Sequence, residues 1–113
     1  MKVITELLEG HDSITGKSCR FKKFTIKGLP LITLKQPDGN MYAYKMTEGE
    51  YRKWHSKYYD LDAINMAAFW PRCDGCNAEI SGEYYKGFYY LLMVEQGQPY
   101  EVVCEECFKL FSI

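Results

Sequence analysis

The sequence predicts an α+β protein in two parts: a small N-terminal lobe of a hairpin plus helices, residues 1–71, packed on a C-terminal module, residues 72–113. Three observations carry this reading. Two C-x-x-C pairs, Cys73/Cys76 and Cys104/Cys107, are separated by 27 residues, a spacing at which two short turns clamp one tetrahedral zinc ion. Strand-like runs flank two turn-rich linkers, Gln36 to Asn40 and Glu95 to Pro99. Between the linkers, Thr47-Glu48-Gly49-Glu50 has the form of a capping box and opens a helix-spaced apolar pattern.

Size and composition explain why metal is expected. A 113-residue chain makes one domain or two lobes sharing a core. With 47% hydrophobic and 16% aromatic residues it falls among folded globular chains. The last 41 residues alone are too few to bury a sufficient core. Structural zinc contributes roughly 10–16 kcal/mol of apparent binding energy to finger-sized units. The C-terminal module is therefore expected to need its ion, one Zn²⁺ per chain. A closed four-thiolate site has no open position for substrate, so the expected role of the zinc is structural and the chain is read as a non-enzyme.

Taken in order, Arg20 to Lys27 looks like a strand with one charged face, and the slip in parity between Phe21 and Phe24 suggests a bulge near Lys22 and Lys23. Leu31 to Lys35 and Met41 to Met46 form a hairpin, with Tyr42, Tyr44 and Met46 on one face. In the following helix Tyr51, Trp54, His55 and Tyr58 fall on one continuous face. A second helical stretch, Leu61 to about Phe69, is capped by Asp60 or Asp62 and stopped by Pro71. Cys73 to Ala78 reads as a zinc knuckle, in which Gly75 relieves crowding and Asn77 tolerates a left-handed backbone. Tyr84 to Lys86 and Phe88 to Val94 are strand-like, and Tyr100 to Val103 returns the chain to the metal. Cys104 and Cys107 open a short helix, Glu105 to about Phe111. Glu105 and Glu106 in its first turn complement the helix dipole.

The order of knuckle, hairpin and C-x-x-C on a helix resembles the treble-clef zinc fingers. The run Cys73-x-x-Cys76-x-x-x-Ile80-x-Gly82-Glu83-Tyr84-Tyr85, ending in Val103-Cys104-Glu105-Glu106-Cys107-Phe108, looks like their LIM-like branch. The resemblance covers about 40 residues and implies Cys73, Cys76, Cys104 and Cys107 as ligands. It implies less about function, because treble clefs serve as protein-interaction modules, as ribosomal and transcription-associated elements, and as nuclease cores. A LIM domain proper carries two such sites, and this chain has cysteine pairs for one. No family is recognised in residues 1–72.

Compartment and partners follow from cysteine and charge. The N-terminus has no long apolar run of a signal peptide, and no apolar run is long enough for a membrane span, so the chain is expected to be cytoplasmic and not membrane-bound. There, reduced thiols favour zinc over the alternatives, a two-disulfide secreted domain or redox C-x-x-C pairs. Net charge is −1, but residues 1–72 hold 12 Lys/Arg against 8 Asp/Glu and residues 73–113 hold 2 against 7. An acidic finger is ill suited to phosphates. Nucleic-acid contacts, if made, fall to Arg20, Lys22, Lys23, Lys27, Arg52, Lys53 and Lys57, for which an ordinary solvated face is the plainer reading.

Other motifs fail on inspection. Gly10 to Ser18 resembles a P-loop but has five residues between glycines where four are required, so no nucleotide is expected. A nuclease centre needs a histidine inside the finger, and His11 and His55 lie outside it. Metal binding or nucleophilic catalysis by His11, Cys19 and His55 rests on no spacing rule. Cys19 reads as a small buried hydrophobe and His55 as a hydrogen-bonded core residue. The ten tyrosines are unusual. Strand alternation puts Tyr85, Tyr89, Leu91 and Met93 on one face, which either packs on the N-terminal lobe against the Tyr51/Trp54/Tyr58 face of the helix, the plainer reading, or meets a partner. The favoured function is a binding protein with a protein partner: an adaptor, regulator or inhibitor of the kind that bacteriophages and mobile elements encode. The alternative is a nucleic-acid-associated regulator using the basic lobe.

Overall fold

The computed structural model describes residues 1–60, 71–80, 85–95 and 97–111. Along these, the chain forms β1 (Lys2–His11), β2 (Ser18–Lys27), β3 (Leu31–Gln36), β4 (Gly39–Met46), α1 (Glu48–Tyr59), β5 (Tyr89–Met93), β6 (Glu101–Val103) and a short α2 (Glu105–Phe108). The class is α+β. The helix expected over Leu61 to Phe69, the position of Asp62, and Tyr84 of the expected strand lie outside the described residues. Asp60 closes α1 in the left-handed region (φ 53°).

β1 and β2 form a two-stranded ribbon, and β3-β4-β5-β6 form an antiparallel sheet in that order. The two expected parts therefore share one sheet, because β4 pairs directly with β5. β1 escapes the sequence reading. Its pairing with β2 runs without interruption from Lys2↔Lys27 to His11↔Ser18, so the bulge expected at Lys22 and Lys23 is absent. Phe21 and Phe24 face opposite sides because the ribbon has two faces to cover. Phe24 and Ile26 are buried in the core, while Phe21 lies across from Leu8 on the other side. The P-loop-like run is the ribbon's hairpin loop, where the Asp12 carboxylate accepts from the N–H groups of Ile14 and Thr15 (2.8 and 2.9 Å).

α1 forms where its punctuation places it. Thr47 Oγ1 accepts from Glu50 N–H and Glu50 returns the bond to Thr47 N–H, so both halves of the capping box are made. Tyr51 and Trp54 are buried and His55 and Tyr58 half-buried, as the helical spacing requires. This face packs on one side of the sheet together with β2. Lys22 fastens the far end of α1: its ammonium donates to Tyr58 O and pairs with Asp60 (3.0 Å), satisfying a terminal helix carbonyl.

β5 is buried along all five residues. Tyr42↔Met93, Tyr44↔Leu91 and Met46↔Tyr89 are directly opposed, so these six side chains share the face under α1. On the other face, Tyr90 stacks on Phe108 of α2 at 3.9 Å. Gly97, in the β5–β6 loop, accepts from Phe24 N–H (2.9 Å). A side chain there would meet the Lys23 stem at 2.5 Å and Phe24 O at 3.0 Å, at a φ of +91° that already favours glycine.

Tyr89 gives a first test of this core. It stacks on Tyr51 (5.1 Å, 18° between planes) with its hydroxyl buried and without a hydrogen-bond partner among the described residues. Burial, then the Glu48 charge, pushes its pKa up to about 12, so the phenol stays neutral. Tyr89→Phe removes an unsatisfied group and keeps the ring. Its urea-unfolding free energy should equal or exceed the parent's within about 1 kcal/mol. A loss above about 2 kcal/mol would show that the hydroxyl has a partner.

Candidate metal centre

Two local structures deliver the thiols. The first is the knuckle, closed by Cys73 N–H to Ala78 O and Asn77 N–H to Cys73 O (2.9 and 2.8 Å), with Asn77 at φ 59° as its sequence position suggested. The second is the junction where β6 ends and Cys104 becomes the N-cap of α2, placing Cys107 on the helix's first turn. The Sγ atoms of Cys73, Cys76, Cys104 and Cys107 all lie within 4.8 Å of one another. Among the described residues this is the one group of three or more His, Cys, Asp or Glu placed to hold a metal ion.

The distances fit a metal and not disulfides. Cys73 and Cys107 sulfurs are 3.6 Å apart, and those of Cys76 and Cys104 3.9 Å. A tetrahedron with zinc–sulfur bonds of about 2.3 Å has edges of about 3.8 Å, whereas a disulfide requires about 2.05 Å. Backbone donors also surround one of the sulfurs. Cys73 Sγ accepts from the N–H groups of Gly75, Cys76 and Cys104 at 3.3, 3.4 and 3.4 Å. Burial acts to raise the Cys73 pKa, but these backbone donors outweigh it and bring the thiol down to about 7. Burial, then the neighbouring sulfurs, pushes Cys107 up. A divalent cation held by Cys73, Cys76, Cys104 and Cys107 would supply the charge that lets all four thiols ionise together.

Gly75 is required by this closure. A Cβ on it would stand 2.9 Å from Cys107 Sγ and 3.2 Å from Cys107 Cβ. Gly75→Ala therefore cannot close the knuckle on α2 without moving a ligand. Its zinc affinity, measured by competition with a chromophoric chelator, should fall about 10–100-fold, the range seen when the groups supporting metal ligands are removed. Unchanged affinity would show that the two cysteine pairs do not approach this closely.

Two supporting residues escape the sequence reading. Asp74 closes the outer edge of β6: its N–H donates to Val102 O (2.9 Å) and its carboxylate accepts Val102 N–H (2.8 Å). One aspartate thus does for the sheet edge what a further strand would do. Tyr85 serves α2. The Cys104 side chain makes no cap bond, so the Tyr85 hydroxyl accepts Glu105 N–H (2.9 Å) and donates to Phe88 O. The Glu105 carboxylate in turn accepts from Phe88 N–H (3.1 Å). Both contacts span distant residues, and no local pattern announces them.

The other candidate residues are placed differently from expectation. Tyr89, Leu91 and Met93 do not form a surface; they are buried, because α1 covers that face of the sheet, and Tyr85 is half-buried against α2. Of the seven candidate nucleic-acid cations, Lys22 is committed to the end of α1, Arg52 pairs with Glu48 (3.1 Å) and Arg20 with Glu9 (3.7 Å). Lys23 lies against Gly97, and Lys27 is exposed beside Lys2. Lys53 and Lys57 come together with Lys2 around a cavity of about 720 Å³. Cys19 is exposed on the ribbon, contrary to the buried position expected, because it lies on the part of β2 that projects beyond the core. His11 ends β1, and His55 packs among Tyr51, Trp54 and Tyr59 on α1. No described helix is long and apolar enough to cross a membrane. Compared with protein-family models, curated proteins and solved structures, the chain finds no significant match.

Proposed function

We propose that this chain is a small zinc-stapled binding protein, an adaptor, regulator or inhibitor whose partner is another protein. In this reading residues 72–113 form a treble-clef-like finger, the ion is structural, the protein is not an enzyme, and it works in a reducing compartment such as the cytoplasm. The observation that carries the reading is the closure of the site. Four thiols face one another, three N–H groups solvate Cys73, and no fifth protein ligand stands among the described groups. Such a site holds shape. Binding then falls to the surface beside it, where Phe88, Val94 and Tyr100 remain exposed.

Metal analysis with thiol titration tests the staple. One zinc and four protected thiols per chain are expected, with Cys19 alone reacting freely; two disulfides would overturn the account. Partner capture with the zinc-loaded chain as bait tests the binding role. A specific, stoichiometric protein complex supports it, and a chain that stays monomeric and captures nothing argues against it.

The clustering of Lys2, Lys53 and Lys57 favours one alternative, a nucleic-acid-associated role for the N-terminal part. The backbone term should show first at low salt. Absence of binding to generic duplex DNA and single-stranded RNA in dilute buffer eliminates it.

A further inference from the structure

Beside the metal centre lies an open cavity of about 300 Å³ lined by residues of α1, the knuckle and the β5–β6 region. α1 contributes three aromatic walls, Tyr51, Trp54 and Tyr59, and Tyr100 stands opposite at the mouth. Tyr59 and Tyr100 are 51% and 61% exposed, whereas the other described Phe, Tyr and Trp rings except Phe88 are buried or half-buried. Two carboxylates, Asp74 and Glu101, line the same space. Asp74 spends Oδ2 on Val102 N–H and its other oxygen takes no hydrogen bond among the described residues.

The electrostatics favour a cation. Aromatic faces present the negative side of their quadrupole, and a cation held over them while meeting a carboxylate gains from both. Arg72 and His55 also line the cavity. Arg72 turns its guanidinium to Asn77 O (3.3 Å), inside the knuckle. Burial, then the Arg52 charge, holds the His55 imidazole below its usual range. The surrounding C-terminal part is acidic, with 7 Asp/Glu against 2 Lys/Arg over residues 73–113. Burial, then the Asp74 charge, holds the Glu101 carboxyl above its usual range.

We propose that this cavity receives a lysine or arginine side chain of the partner protein, its charged head between Asp74 and Glu101 and its stem against Tyr59, Tyr100 and the Tyr51/Trp54 wall. The proposal rests on the protein-binding reading and adds the chemistry of what is bound. It also explains how a structural zinc serves recognition. The knuckle that holds the ion is the element that positions Asp74, so the ion fixes one side of the pocket.

The test is an NMR titration of the zinc-loaded full chain with N-acetyl-lysine methylamide, N-acetyl-arginine methylamide and N-acetyl-norleucine methylamide, the last having an apolar stem without the charge. Shifts of the Trp54 indole N–H and the Val102 amide are followed. At least one cationic probe should give saturable shifts, with apparent affinity at least about tenfold above the norleucine probe. Glu101→Gln should lower that affinity about tenfold, and Tyr100→Ala severalfold, with zinc content and melting temperature unchanged. Equal binding of all three probes, no saturable shift with either cation, or a Glu101→Gln variant that binds as the parent does would each overturn the assignment. The two readings fail separately. A partner complex that forms equally well with Glu101→Gln removes the pocket and leaves the binding role. Cation binding in a chain that forms no protein complex removes the binding role and leaves the pocket.

Discussion

Stripping the zinc is expected to unfold the whole chain, not the C-terminal module alone. The apparent contribution of a structural zinc site, about 10–16 kcal/mol, equals or exceeds the roughly 5–15 kcal/mol by which a domain of this size is stable. The topology carries that loss inward. β6 has three residues and, among the described residues, is held on its outer side by Asp74 of the knuckle. β5, its inner neighbour, is the strand whose five side chains bury both faces of the sheet. When the knuckle opens, β6 loses its edge partner, α2 loses the thiols that anchor it, and the stack of Tyr90 on Phe108 is exposed. The remaining β3–β4 hairpin and β1–β2 ribbon are two-stranded pieces, marginal on their own in water.

The measurement is amide exchange and far-UV circular dichroism during titration with a strong chelator under reducing conditions. Amides of α1 should lose protection together with those of β5 and β6, and readdition of zinc should restore both. Cys104→Ser should reproduce the unfolding without chelator, whereas Cys19→Ser, on the exposed ribbon, should leave the chain as stable as the parent. Retained protection of α1 in the metal-free chain would show that residues 1–60 fold independently, and the shared sheet would then be no more than a docking contact.

What could be read in advance depended on how local the cause was. The four thiols were legible because zinc fixes both ligand type and short spacing within each pair. α1 was legible for the same reason: its cap, its first turn and its apolar face lie within a dozen consecutive residues. β1 was not. Only Val3 on it is buried; Ile4 and Thr5 are both half-buried and Glu6 and Leu7 both exposed, so the period of two is broken in mid-strand. The strand exists because Phe24 and Ile26 require a partner on the far side of the core. The apolar run of β5 announced a buried strand, yet which of its faces would be covered depended on β4 and α1. For Tyr89, Leu91 and Met93 the alternation leaves packing against the Tyr51/Trp54/Tyr58 face of α1 and a partner surface both open, and the pairing Met46↔Tyr89 places them under the helix. Asp74 and Tyr85 lie beyond local reading for the same reason, since their bonds join residues 28 and 20 positions apart.

Trp54 is where the ribbon, the helix and the sheet become one core, and its removal should be the most damaging substitution outside the metal site. It is 2% exposed. Its ring lies 5.2 Å from Phe24 of β2, stacks on Tyr58 at 5.3 Å and meets Tyr51 at 5.7 Å. Burying a tryptophan and then deleting it to alanine costs about 3–5 kcal/mol, which includes the cavity left behind. Trp54→Ala should therefore lower the melting temperature by roughly 15–20 °C at constant zinc, and the β1–β2 ribbon should lose exchange protection first, since Phe24 is its main anchor to the core. Trp54→Phe separates packing from polarity. The indole Nε1–H has no acceptor among the described residues, so phenylalanine removes an unsatisfied donor while keeping an aromatic face toward Phe24 and Tyr58. It should recover more than half of the alanine loss. If phenylalanine is as destabilising as alanine, the indole nitrogen must be bonded in solution. If alanine costs less than about 1 kcal/mol, the ribbon is held by the Gly97 and Lys22 contacts and not by this cluster.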